Sequence, residues 1–159
     1  MALNQSGSSG QGEEFLKVLF LDIDGVLNSR RTATAFGNFP HNCDPHQMKL
    51  FDRPALSLIQ KLCEKTDSSV VLSSTWRNDP RWREYGRQLR IPLIDRTPSQ
   101  SGPRGREIQT WIDINGPKRY AIVDDDSDML EHQKPFFVQT DPQDGLLLRH
   151  YDRLLELLS

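Results

Sequence analysis

The chain has 159 residues, a formal net charge of −2, 36% hydrophobic residues and a mean hydropathy of −0.61, which suits one domain with a substantial core and leaves little for a second. The near-neutral charge excludes a generic polyanion binder, and no apolar run approaches the roughly 20 residues that span a bilayer. No basic region leads into an apolar segment at the N-terminus, so no signal peptide is expected, and the two cysteines, Cys43 and Cys63, read as reduced thiols of a cytoplasmic protein.

Residues 1–12 carry the run N-Q-S-G-S-S-G-Q-G, a flexible N-terminal segment that takes no part in a core. The domain is expected over 13–159. Residues 17–24 read as a first strand, because the apolar run 18–21 is short, β-branched and aromatic. It ends in Asp22-Ile23-Asp24 and then Gly25. On a strand, residues two apart share a face. Two carboxylates so close ask for a metal, a shared proton, or both.

Residues 28–52 are polar and irregular, with Gly37, Pro40 and Pro45. They predict a long loop with room for a helical turn, and loops of that length tend to be functional. Pro54 suits the first turn of a helix, on which Leu56, Ile59, Leu62 and Cys63 recur at helical spacing. Residues 69–73 form a second short apolar run ending in Ser73. Asp79-Pro80 opens a helix to about residue 89. Residues 91–94 suggest a third strand, and 104–114 a helix with Ile108, Trp111 and Ile112 on one side, stopped by Asn115-Gly116-Pro117. Residues 120–123 form an apolar strand ending in Asp124, Asp125 and Asp126. Residues 136–138 complete five strands, and 150–158 form a closing amphipathic helix. Strands alternating with helices predict an α/β, Rossmann-like three-layer sandwich around a mostly parallel five-stranded sheet.

In an open parallel sheet, ligands bind beyond the carboxyl ends of the strands. Three strands end in reactive polar groups: Asp22 with Asp24, Ser73, and Asp124 with Asp125. Converging carboxylates imply a hard divalent cation, and oxygen donors with few protein contacts suit Mg²⁺. Ser73 and the basic Arg104 would then face an anion held against it. Together these groups describe phosphoryl transfer.

These pieces resemble the haloacid dehalogenase (HAD) superfamily: D-I-D-G-V, V-V-L-S, R-G-R-E-I and A-I-V-D-D match its four motifs in order. D-I-D-G-V-L-N, S-S-T-W-R, R-G-R-E-I-x-x-W, D-D-D-S-D-M and a late Q-T-D-x-x-x-G-L look most like the small HAD domains of the "Swiss Army Knife" RNA-repair group. The resemblance implies Asp22 as nucleophile, forming an aspartyl-phosphate, and Asp24 as general acid and base. It implies Mg²⁺ on Asp22, the Asp24 backbone carbonyl and Asp124, with Asp125 second or through water. Ser73 would bond the transferring phosphoryl group. Arg104 would stabilise its charge in place of the commoner lysine, with Arg106 as the alternative occupant.

Asn28, Ser74, Trp76 and Arg77 lie next to these motifs and are candidate substrate-binding residues. The arginines 77, 81, 83, 87, 90 and 96 begin beside the phosphate site and suggest a polyanion track, although a solvated face accounts for them equally well. His41, Cys43, Asp44 and His46 have the residue types for zinc but no paired C-x-x-C. Neither gap between motifs has room for a separate cap domain, so residues 28–52 would act as a minimal cap over an open site. The reading is a Mg²⁺-dependent phosphomonoesterase for nucleotides or polynucleotide ends. A phosphatase of small phosphometabolites or phosphoproteins and a catalytically silent HAD binding module are the alternatives.

Overall fold

The apolar run 18–21 becomes the central strand of the sheet, with all four side chains fully buried. The computed structural model describes residues 16–159; the segment expected over 1–12 lies outside the described residues. Strands β1 (Lys17–Leu21), β2 (Ser69–Leu72), β3 (Leu93–Arg96), β4 (Arg119–Asp124) and β5 (Phe137–Gln139) form one sheet in the order β3-β2-β1-β4-β5. Every pairing is parallel, so the sheet expected to be mostly parallel is parallel throughout.

Alternation along β1 divides the core. Leu19 and Leu21 pack with Ile59, Leu62, Tyr85, Leu89, Leu154 and Leu158. These come from α2 (Arg53–Thr66), α3 (Glu84–Leu89) and α5 (Leu148–Leu158). Val18 and Phe20 face the other way, with Val71 and Ile122, onto Ile108 and Trp111 of α4 (Arg104–Asn115). Asp52 caps α2, its Oδ1 accepting from the Ala55 N–H at 3.2 Å, and Pro54 sits in the first turn where its missing N–H is harmless.

Two segments differ from expectation. Residues 28–52 hold a helix, α1 (Arg30–Phe36), and a 3₁₀ turn, Met48–Leu50. α1 is set by a capping box: Ser29 Oγ accepts from the Thr32 N–H, and Thr32 Oγ1 from the Ser29 N–H. The helix expected from Asp79 begins only at Glu84. Asp79 spends its carboxylate on the Arg81 N–H at 2.8 Å and the Tyr85 hydroxyl at 2.6 Å, which favours a turn. Between β1 and β2 lie α1, the Met48–Leu50 turn and α2; between β2 and β4 lie the Thr75–Asn78 3₁₀ turn, α3, β3 and α4. Neither connection inserts a further domain over the strand ends.

Candidate active site

The three central strands end level. Leu21 pairs with Leu72 on one side and Val123 on the other. The ladder runs one residue further: Ser73 N–H donates to Leu21 O at 3.0 Å, Asp22 N–H to Val123 O at 3.1 Å and Thr140 N–H to Asp124 O at 3.0 Å. Asp22, Ser73 and Asp124 therefore stand abreast. Each lies two residues after a core residue of the α4 face, namely Phe20, Val71 and Ile122. The pleat sends all three side chains to that face. The apolar floor of one layer thus ends in a polar row under the N-terminus of α4.

Arg104, the first residue of α4, reaches this row. Its Nη1 lies 2.6 Å from Asp124 Oδ2 and 3.2 Å from Asp22 Oδ1. Asp128 holds the helix start, its Oδ2 accepting from the Arg104 N–H at 3.1 Å and its carbonyl from the Gly105 N–H at 2.9 Å. Gly105 is required by close approach: a Cβ there would lie 2.5 Å from Gln133 Oε1 and 2.6 Å from Leu130 N. Arg106 is exposed, so Arg104 is the arginine that meets the carboxylates.

Asp22, Asp124 and Asp125 each offer an oxygen within 4.8 Å of the others, and among the described residues no other three acidic, histidine or cysteine side chains gather so closely. One guanidinium faces three carboxylates, which leaves net negative charge in a largely dry place. Burial pushes the Asp22 carboxyl up to about 9, with Asp124 adding to the rise and Arg104 opposing it only in part. Burial and Asp124 raise Asp125 as well. Burial opposes the charge on Arg104, but Asp124 and Asp22 outweigh it and hold the guanidinium more firmly protonated than usual. The donors are all oxygen, which suits a hard divalent cation. Ser73 Oγ is fully buried and has no hydrogen-bond partner among the described residues, so a hydroxyl in the same row is left for a further group to bond.

Asp24 is exposed and held from two sides. Its Oδ1 accepts from Asn28 Nδ2 at 3.0 Å and its Oδ2 from Trp76 Nε1 at 3.1 Å. Gly25 turns the chain with φ of 82°, and a Cβ there would collide with the Asp125 carboxylate. The turn is pinned by Asn28 Oδ1, which accepts from the Gly25 N–H at 3.2 Å, and by Thr140 Oγ1, which donates to Gly25 O at 2.7 Å.

A family model described as the HAD domain in Swiss Army Knife RNA repair proteins matches residues 18–151. The chain belongs to this family. The match runs from β1 into α5 and takes in every site residue named above. No curated protein matches the chain. No helix among the described residues is long and apolar enough to cross a membrane. Membership supports a phosphatase-type hydrolase on this HAD scaffold.

Of the remaining candidate residues, Ser74, Trp76 and Arg77 are buried. Trp76 is buried against Phe51 and Tyr85 while its indole N–H serves Asp24. Ser74 is buried and its Oγ accepts from the Trp76 N–H at 3.2 Å. Arg77 donates to Ser74 O at 2.9 Å and to Glu107 Oε2 at 2.7 Å. Arg81, Arg83, Arg87, Arg90 and Arg96 are exposed, Arg81 beside Asp44 and Asp79 and Arg87 beside Glu84. Cys43 is buried while His41 and His46 are exposed, so the zinc-type residues do not gather.

Two contributors lie inside the quoted motifs, yet the motifs give them no role. Glu107 is the buried partner of Arg77, and its signal is its helical spacing with Arg104, Ile108 and Trp111. The turn after Thr140 is the other. Asp141 O and Oδ1 accept from the Gly145 and Gln143 N–H groups at 2.7 and 2.8 Å, while Arg30 and Arg31 N–H donate to Pro142 and Gln143 carbonyls at 3.0 Å. The late Q-T-D-x-x-x-G-L stretch is its trace in the sequence.

Proposed function

We propose that this HAD domain is a Mg²⁺-dependent phosphomonoesterase that works through an aspartyl-phosphate on nucleotides or polynucleotide ends. The observation that carries the reading is the cluster of Asp22, Asp124 and Asp125 against Arg104 at the ends of the central strands. Asp22, Asp124, Asp125 and the Asp24 carbonyl are the groups that would hold the cation. When bound, it offsets the negative charge of the carboxylates and of the phosphoryl oxygens.

Asp22 attacks phosphorus through a carboxylate oxygen, and the bond from phosphorus to the leaving oxygen breaks. Asp24 gives its proton to that oxygen. Asp24 then takes a proton from water as the water attacks the phosphoryl group, releasing phosphate and restoring the Asp22 carboxylate. Ser73 donates to a phosphoryl oxygen, and Arg104 balances the charge that develops there. Asn28 and Trp76 fix the Asp24 carboxyl, while Ser74 and Arg77 hold the backbone that carries Ser73. The RNA-repair description of the family supports a nucleotide or polynucleotide substrate. The free, buried thiols Cys43 and Cys63 favour a reducing, cytoplasmic setting.

Phosphate release from mononucleotides and from 3′- and 5′-phosphorylated oligonucleotides tests the reading, with and without Mg²⁺. Wild type is expected to turn over with Mg²⁺ and Asp22→Asn to be inactive. Equal release by both proteins, or none from wild type with Mg²⁺, overturns it.

A further inference from the structure

A cleft of about 730 Å³ opens beside the site on the Asp24 side. Asp24 and Asp125 line one part of it together with Asn28 and Trp76, and Arg30, Phe39, His41 and Gln143 are among the residues of the other part. The volume falls within the range of sites that take drug-sized ligands and far exceeds the needs of a phosphate ion. Phe39 is 43% exposed, and Arg30 and His41 are also exposed.

The wall is built before any ligand arrives. The segment after Asn28 is tied to the turn after Thr140 by Arg30 N–H to Pro142 O and Arg31 N–H to Gln143 O, both 3.0 Å. Arg30 Nη1 donates to Gln143 Oε1 at 3.4 Å across the rim. The His41 N–H is held by Gln47 Oε1 at 2.9 Å. A preformed cleft with an aromatic wall, a guanidinium, an imidazole and a carboxamide offers stacking and hydrogen bonds together.

We infer that this cleft binds the nucleoside that bears the scissile phosphate, with its base against Phe39 and the next phosphodiester at Arg30. The inference rests on the proposed reaction, because Asp24 serves the leaving oxygen and lines the cleft. What lies in the cleft is then the leaving group. A flat heteroaromatic ring matches Phe39, since bases stack on aromatic side chains whatever their identity. Ribose hydroxyls and base edges match His41 and Gln143. Arg30 would meet a second phosphate only on a strand and not on a mononucleotide.

The experiment compares wild type, Phe39→Ala, Phe39→Trp and Arg30→Ala in two measurements. The first is kcat/KM with Mg²⁺ for a nucleoside monophosphate, a short phosphorylated single-stranded RNA and β-glycerol phosphate. The second is equilibrium binding of the same RNA, fluorescently labelled, in a chelator that prevents turnover. Phe39→Ala is expected to lower the ratio of kcat/KM for RNA over glycerol phosphate by about 5- to 150-fold, and to weaken RNA binding similarly. Phe39→Trp should restore both. Arg30→Ala should weaken the RNA and leave the nucleoside monophosphate unchanged; an equal effect on both, or none on the RNA, overturns the placement of a second phosphate at Arg30.

RNA binding and turnover unchanged in Phe39→Ala overturn the inference. Binding lost in Phe39→Ala while wild type hydrolyses no ester upholds the cleft and overturns the reaction. Wild type that neither binds nor hydrolyses nucleotides overturns both.

Discussion

Helix α4 sends two charged side chains into the same end of the sheet, three residues apart, and their surroundings are opposite. Glu107 meets one guanidinium, Arg77, at 2.7 Å, with side chains 8% and 7% exposed. Arg104 meets Asp124 at 2.6 Å and Asp22 at 3.2 Å, with Asp125 gathered beside them. The first region is a balanced pair with further bonds around it: Glu107 Oε2 also accepts from the Gln100 N–H, and Arg77 Nη1 donates to the Ser73 and Ser74 carbonyls, while Arg77 Nε is buried with no partner among the described residues. The second carries one positive charge for three carboxylates. Closeness of opposite charges is common to both. What separates them is surplus: a balanced buried pair fixes geometry, while a surplus of carboxylates in a dry place is costly until a proton or a cation offsets it.

The largest effect should come from breaking the balanced pair. Glu107→Ala leaves Arg77 buried and unpaired, and is expected to destabilise the fold by roughly 3–5 kcal/mol, read by urea unfolding. A loss below about 1 kcal/mol, as for exposed pairs, would mean that the pair is hydrated and the contrast false. Arg104→Ala should behave the other way. Phosphate release is expected to fall about 10²- to 10³-fold, as when one charge-stabilising donor is removed, with the protein still folded by circular dichroism. Arg104→Lys keeps the charge but loses the planar fork, and should fall between. An Arg104→Ala protein that unfolds while remaining active when folded would reverse the comparison.

The sequence carried much of this because the site is built on strand ends. Three short apolar runs stop at Asp22, Ser73 and Asp124, and a parallel sheet leaves them abreast. The all-parallel order follows from the same alternation of strands and helices. Helix α1 was hidden because Arg-Arg-Thr-Ala-Thr-Ala-Phe has no apolar period; it is set by its Ser29–Thr32 box and by carbonyls of the turn after Thr140. Arg77 looked like a surface arginine beside a phosphate site. Its partner lies 30 residues away, and the helical spacing that buries Glu107 does not say which group it faces. Trp76 and Asp24 are separated by 52 residues, so sequence places the indole beside the motifs without showing that it serves Asp24 from the core.

The unbalanced cluster should make the cation-free protein sensitive to pH. The Asp22 carboxyl, with an ordinary value of 3.8, is pushed up to about 9, first by burial and then by Asp124. The folded state therefore holds a proton that the unfolded chain gives up. That contribution to stability is complete below the ordinary value and is lost as pH rises toward 9. In chelator, Tm is expected to fall across this window and to fall less steeply in Asp22→Asn. Added Mg²⁺ should raise Tm more at the alkaline end, because binding must displace the proton. A Tm profile identical in wild type and Asp22→Asn would remove Asp22 as the source of the surplus.

The smallest effect tests whether Trp76 belongs to the packing or to the site. Phe51 and Tyr85 stack edgewise on its ring, at 5.8 and 5.7 Å between centroids, and a phenylalanine preserves most of that contact. It cannot donate to Asp24. One hydrogen bond of this kind is worth about 1 kcal/mol, so Trp76→Phe should lower kcat about fivefold. Asn28 Nδ2 still holds the other oxygen of Asp24, which is why the loss should be modest. If Trp76 only packs, the variant loses stability and keeps kcat. If it orients Asp24, kcat falls, urea unfolding changes little, and Asn28→Ala in the same background costs more than Asn28→Ala alone. That excess is the coupling expected when two donors share one carboxylate. It would place Trp76 with the surplus-charge region and not with the balanced one, although its ring lies in the core.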